Sequence, residues 1–170
     1  MEIARANVEA ELERYHADCF AWAMACCGRD RNEAEDVLQA SYLKVLDGRA
    51  VFGSRSSLKT WLFGVIRRTA AEHRRWRALW RLRSTSLAER ADPSADPAGV
   101  VAESDSSARL ISTLATLPER QRQVIHLVFY QDLSIAEAAD VLGISLGTAR
   151  THYERGKQRL REVLKREDLR

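Results

Sequence analysis

The chain has 170 residues, 45% hydrophobic and 30% charged, with a formal net charge of +3, enough for one domain or two small ones. Three prolines and eight glycines argue against a strand-and-turn architecture. No hydrophobic run is long enough to span a membrane, and the acidic, amphipathic start MEIARANVEAELERY is no secretory signal, so a cytoplasmic protein without membrane insertion is expected.

Val8, Leu12, Tyr15, Cys19, Trp22 or Ala23, and Cys26 recur at helical spacing and predict one amphipathic helix from Val8 to about Cys27, ended by Gly28. The three cysteines, Cys19, Cys26 and Cys27, match neither C-x-x-C nor zinc-ligand spacing. They read as buried thiols acting as small hydrophobes, and no metal or other cofactor is expected, although His16 and Cys19 can share a helix face. Asn32, with Glu35 three residues on, predicts the cap of a second helix. Its inward set is Ala34, Val37, Leu38, Ser41 or Tyr42, and Val45, while Glu33, Glu35, Asp36 and Gln39 point out. Carboxylates in a first turn also oppose the helix dipole.

Residues 47–57, DGRAVFGSRSS, form a polar loop around the aromatic Phe52. A third helix is predicted from Leu58 to about Trp80, burying Leu58, Trp61, Leu62, Val65, Ile66 and Thr69, with Lys59, Phe63, Arg67, Arg74 and Arg75 on other faces. From Arg67 to Arg83 seven arginines (67, 68, 74, 75, 77, 81, 83) face only Glu72, a net of +6. Cations interleaved with Trp76 and Trp80 suit single-stranded or opened nucleic acid, although Trp61 and Trp76 individually read as packing on a neighbour. Ser84 to Ser107 then holds two prolines, six serines and acidic residues 89, 92, 96, 103 and 105 against Arg90, a net of −4. It reads as a flexible acidic tether in which protease should cut first.

Ala108 to Leu117 is a fourth amphipathic segment, and Pro118 opens a helix over Glu119–Gln131 that buries Val124, Ile125, Leu127, Val128 and Phe129. In DLSIAEAADVLGIS, Ser134 and Glu137 form a capping box, Ala138, Ala139, Val141 and Leu142 an apolar face, and Gly143 a stop. Ser145 caps the next helix, which turns Ala149, Tyr153, Gly156, Leu160 and Val163 or Leu164 inward and shows Thr148, Arg150, Thr151, Arg155 and Gln158 outward. From Ser145 to Arg166 seven basic residues (150, 155, 157, 159, 161, 165, 166) face Glu154 and Glu162, a net of +5. This is a helix-turn-helix whose second helix carries groups suited to base edges and phosphates. The expected fold is therefore all-α: two small helical domains, 1–83 and 108–170, joined by a flexible acidic linker, 84–107, the second ending in the helix-turn-helix. With no phosphate-cradling glycine loop, nucleophile elbow or triad, and with His16, His73, His126 and His152 scattered, no catalytic residue and no enzymatic activity is expected.

The order of parts resembles the extracytoplasmic-function (ECF) sigma factors, the small bacterial class with only regions two and four. The resemblance rests on AEDVLQASYLKVL (34–46), SLKTWLFGVIRRTAAEHRR (57–75), LPERQRQVIHLVFYQDLSIAEAADVLGIS (117–145) and GTARTHYERGKQRL (147–160). It implies a protein that binds core RNA polymerase at the β′ clamp helices and the β flap, directs it to promoter DNA, and is held by an anti-sigma factor. Polymerase binding would fall to Glu35, Asp36 and Gln39. Minus-ten recognition would fall to the loop residues Phe52, Gly53, Ser54, Arg55 and Ser56, and to Lys59, Phe63, Arg67, Arg68, Arg74 and Arg75. Minus-thirty-five recognition would fall to Ser145, Thr148, Arg150, Thr151 and Arg155. The chain departs from the family pattern at Arg68, usually Asn, at the small Ala149 and Gly156, at the large Tyr153, and at Glu154 on the DNA-facing side. The alternative is a helix-turn-helix regulator that acts without polymerase; the Arg67–Arg83 block and the Phe52 loop, apparatus for melted DNA, argue against it.

Overall fold

The computed structural model describes residues 5–84 and 112–167, which fall in two compact units, Met1–Ala98 and Gly99–Arg170. The expected acidic tether, from residue 85 on, lies outside the described residues, as does most of the segment beginning at Ala108. Every regular element among the described residues is helical.

The first unit contains α1 (Arg5–Arg14), α2 (His16–Cys26), α3 (Arg31–Leu46) and α4 (Leu58–Ser84). The single helix expected from Val8 to Cys27 is two, interrupted at Tyr15 (φ −96°, ψ 7°). A heptad-like apolar pattern runs unbroken through that residue, so periodicity alone cannot register the break. At the far end of α2, Gly28 sits at φ +63° and Arg29 N–H donates to the Met24 carbonyl at 2.9 Å. That is the Schellman closure, which needs a residue tolerant of the left-handed region.

Asp30, not Asn32, caps α3: its carboxylate accepts from Glu33 N–H at 3.0 Å. The correction has a local cause. The Gly28–Arg29 turn puts Asp30 in extended backbone (φ −71°, ψ 112°), where a cap belongs. Glu35 is thereby left for Arg31, 2.9 Å away. Ala34, Val37, Leu38 and Ser41 are buried, as the spacing requires. Ser57 caps helix α4, its Oγ accepting from Thr60 N–H at 3.1 Å, and the helix continues to Ser84, past the expected end at Trp80.

Helix α4 packs against both α2 and α3. A helix with two neighbours buries a wider arc than one with a single contact face. Thr60, Phe63 and Ala70 accordingly join Leu62, Val65, Ile66 and Thr69 inside. Trp22 is the centre of this core: fully buried, its Nε1–H donating to the Phe63 carbonyl at 3.0 Å and its ring stacked on Phe63 at 6.0 Å. The cysteines are buried, and desolvation pushes the thiols of Cys19 and Cys27 up to about 12, so they stay protonated and inert at neutral pH.

The second unit contains the helical residues 112–115 (α5), then α6 (Glu119–Phe129), α7 (Ile135–Leu142) and α8 (Leu146–Glu167). Val124, Ile125 and Leu127 are buried as expected, but Phe129 is 56% exposed. It closes α6 at the rim of the unit, its ring stacked on Tyr153 at 5.9 Å rather than inserted in the core. The turn between α7 and α8 matches the reading from spacing: both halves of the Ser134–Glu137 capping box form, and Gly143 lies at φ +59°. Ala149 and Gly156 turn inward to meet α6 and α7.

Gly156 lets α8 lie close against α6, since a Cβ there would stand 2.5 Å from Ile125 Cδ1. Gly156→Ala gains about 1 kcal/mol of helix propensity, which the displaced Ile125 methyl offsets. We expect the single variant within about 1 kcal/mol of the wild type. Gly156→Ala with Ile125→Val, which removes that methyl, should exceed the wild type in thermal unfolding.

Candidate nucleic-acid interface

In the second unit the outward face of α8 is built by elimination. Ala149, Tyr153, Gly156 and Leu160 fill one side, and at 100° per residue Thr151, Glu154 and Gln158 lie opposite them. Arg150 and Arg155 stand at the two margins of that face. Both are exposed and make no ion pair or hydrogen bond among the described residues. The hydroxyls are engaged: Ser145 Oγ accepts from Thr148 N–H at 3.1 Å and meets Thr148 Oγ1 at 2.8 Å, and Thr151 Oγ1 donates to the Gly147 carbonyl at 3.0 Å. Glu154, which alone would repel phosphate, pairs with Lys157 at 3.1 Å, and the same ammonium lies 4.5 Å over the Tyr153 ring. The face is polar with guanidiniums at its two edges, on a helix of the width a major groove admits.

In the first unit the loop between α3 and α4 holds Phe52 half-buried, its ring tilted against Trp61 at 5.3 Å. Beneath it lies a cavity of about 210 Å³ walled by Leu12, Val45, Phe52, Leu58, Trp61 and Leu62. That is ample for one flat heterocycle. Next in the loop, Gly53, Ser54 and Arg55 are exposed, Ser56 is half-buried, and Ser54 sits at φ +53°; none of the four lines the cavity.

The α4 positions expected to touch DNA divide. Phe63 is removed from the candidates, because it is wholly buried against Trp22 and cannot meet a ligand without unfolding the unit. Spacing placed it off the apolar stripe; the second packing partner of α4 widened that stripe to include it. Lys59 is held at 2.8 Å by Asp18, its side chain only 20% exposed. Arg74 donates to the Cys26 carbonyl at 2.7 Å, closing the end of α2. Arg68 and Arg75 are exposed, while Arg67 is half-buried and engaged within the protein. Trp76, expected to pack on a neighbour, is 67% exposed.

On α3, Glu35, Asp36 and Gln39 are all exposed on the side opposite the buried set. An apolar groove runs beside two of them, lined by Phe20, Leu38, Tyr42, Leu43 and Leu46, with Leu43 48% exposed. No spacing argument marked that groove, because Phe20 comes from α2 and the rest from α3. Among the described residues no helix is long and apolar enough to cross a membrane.

Residues 12–81 match the model of Sigma-70 region 2, and residues 113–162 that of Sigma-70 region 4. The chain is 30% identical over 164 residues to the ECF RNA polymerase sigma factor SigX of Bacillus subtilis, covering 92% of this chain and 84% of that one. It is 33% identical over 139 residues to the ECF RNA polymerase sigma factor SigF of Caulobacter vibrioides, covering 80% and 73%. Among solved structures it is similar to the sigma factor RpoE of Bartonella quintana in complex with the anti-sigma factor NepR, with a TM-score of 0.72 and 26% identity over 94% of this chain and 97% of that one. Two helical units, one with a helix-turn-helix and one with an exposed loop over an apolar cavity, thus carry regions 4 and 2 of a single architecture, and the chain belongs to the ECF group of the sigma-70 family.

Proposed function

We propose that this protein is an alternative sigma factor that binds core RNA polymerase and directs initiation at promoters with distinct minus-ten and minus-thirty-five elements. It works without catalytic chemistry of its own, in the cytoplasm where the polymerase is, and under the control of an anti-sigma factor. Residues 1–83 act as region two, 84–107 as the linker and 108–170 as region four. Glu35, Asp36 and Gln39, with the groove beside them, dock on the β′ clamp helices, and region four meets the β flap. The Phe52 loop receives an unstacked minus-ten base with Gly53 to Ser56 beside it in the chain, the exposed Arg68 and Arg75 meet DNA further along α4, and Lys59, Arg67 and Arg74 serve through contacts inside the protein. Ser145, Thr148, Arg150, Thr151 and Arg155 engage the minus-thirty-five element.

The observation that carries this reading is the pairing, in one chain, of a recognition helix with a separate unit whose polar loop presents an aromatic over a base-sized cavity. A regulator that only binds duplex DNA has no use for the second part. The test is transcription from a mixed promoter pool by core polymerase with and without the protein. Promoter-specific transcripts are expected, and their absence rejects the proposal.

Arg150→Ala and Arg155→Ala should each weaken minus-thirty-five binding by roughly 1–3 kcal/mol if they read bases. Their place at the margins of the face favours phosphates instead. We therefore expect a loss that is uniform across sequences and a salt slope smaller by about 1 per arginine. Affinity titrations at several salt concentrations distinguish the two, and unchanged affinity in both variants removes α8 from the interface.

A further inference from the structure

We infer that Glu11, on α1, is a specificity residue of the cavity beneath Phe52: its carboxylate accepts a hydrogen bond from the exocyclic amine of the captured base and so excludes thymine. The inference deepens the base-capture role proposed above for that cavity and rests on it.

Besides the apolar walls already described, α1 lines the cavity with Val8 and Glu11, and Glu11 is the one charged residue in that lining among the described residues. Val8, Glu11 and Leu12 are spaced three and four apart, so they share one face of the helix. Leu12 on that face is buried, and the Glu11 side chain is only 28% exposed, little for a glutamate. Its ion pair is a long one: Arg14 Nη1 stands 3.6 Å from Oε1, and the Arg14 side chain is 68% exposed. A pair of that kind fixes little. Oε2 has no ion pair or hydrogen bond among the described residues.

The apolar walls accept any flat ring, so discrimination between bases falls to the carboxylate. A carboxylate accepts hydrogen bonds and cannot donate them. A base drawn out of the stack is read on its Watson–Crick edge. Adenine, cytosine and guanine each carry an amine on that edge. Thymine carries a carbonyl on either side of its single N–H there, and both carbonyls would face the carboxylate. Closing the cavity over an amine base exchanges water for a charge-assisted hydrogen bond. Closing it over thymine desolvates the charge and sets acceptors against it, which is the costly outcome.

The test takes one promoter that the protein transcribes with core polymerase and randomises its minus-ten element. A barcode in the transcribed region lets each transcript report its promoter. With the wild type, thymine should be depleted about tenfold or more at one minus-ten position, the scale of a well-placed base contact. Glu11→Gln, whose amide can donate to a thymine carbonyl, should raise thymine there to within about twofold of the other bases. Glu11→Ala should flatten the preference at the same position, and preferences elsewhere should not move. Phe52→Ala, which opens the wall of the cavity, should weaken the preference at that position too.

Thymine frequencies that match between the wild type and Glu11→Gln at every position overturn the inference. So does a lower yield from both variants with unchanged base frequencies, which would make Glu11 a residue of the fold alone. A change at a position that Phe52→Ala leaves untouched also overturns it, because Glu11 would then act outside the cavity. In all three cases the wild type still transcribes specific promoters, and the sigma assignment stands. A wild type that yields no promoter-specific transcripts overturns the assignment, and the inference with it.

Discussion

Trp22→Ala is expected to unfold the first unit while leaving the helix-turn-helix unit folded. Trp22 is the largest fully buried side chain, and it joins α2 to α4 through the ring of Phe63 and the hydrogen bond to its carbonyl. Removing a buried indole costs about 3–5 kcal/mol, the transfer of the ring plus the cavity it leaves. A unit of this size is stable by only about 4–12 kcal/mol, so the loss removes a large share of that margin and, at its lower end, all of it. Denaturant titration followed by circular dichroism should show the early loss of the helix signal belonging to residues 5–84. Duplex binding by α8 should persist at denaturant concentrations beyond that first transition. Trp22→Phe keeps much of the apolar contact, loses the N–H donor, and should cost visibly less. A midpoint that does not move would mean Trp22 is not the keystone of the core. A single transition for the whole chain would mean the two units do not fold independently.

Phe52→Ala should separate promoter opening from promoter binding. The ring is half-buried against Trp61 and forms one wall of the cavity beneath the loop, so its loss has two consequences. The first is a stability cost of about 1–2 kcal/mol, below that of a fully buried phenylalanine because half the ring is already wet. That cost leaves region two folded and core-polymerase binding intact, since Glu35, Asp36 and Gln39 lie on α3 and not in the loop. The second falls on opening. Unstacking a base costs a few kcal/mol, and an aromatic wall that receives it returns roughly 1–3 kcal/mol. Permanganate reactivity of minus-ten thymines on linear closed promoter DNA should therefore drop about tenfold or more. A template with a preformed bubble should recover much of the activity. Full activity on closed linear DNA would remove the loop from base capture. Loss of polymerase binding alongside opening would show that the ring serves only the core.

The helix-turn-helix could be read from sequence because its determinants are local. Ser134 and Glu137 are three residues apart and bond each other; Gly143 sits where the chain must turn left-handed; Ala149, Tyr153, Gly156 and Leu160 repeat at helical spacing. The same holds for the acidic face of α3 and for the buried thiols. What the sequence did not disclose depended on which helix lies beside which. The transfer of the α3 cap to Asp30 follows from how α2 closes at Gly28 and Arg29, a competition between neighbouring caps that spacing cannot rank, and the break at Tyr15 leaves the apolar spacing unchanged on either side. Phe63 moved from the DNA side to the core because α4 meets two helices, and a wheel drawn for one contact face underestimates the buried arc. Trp76 moved the other way, because from Arg74 to Arg83 every α4 residue is exposed while the helix itself continues. Local patterns determined which segments are helical and which faces carry charge. Only tertiary packing decided where each apolar stripe ended, because burial is set by the surface a neighbour offers and not by the residue that seeks it.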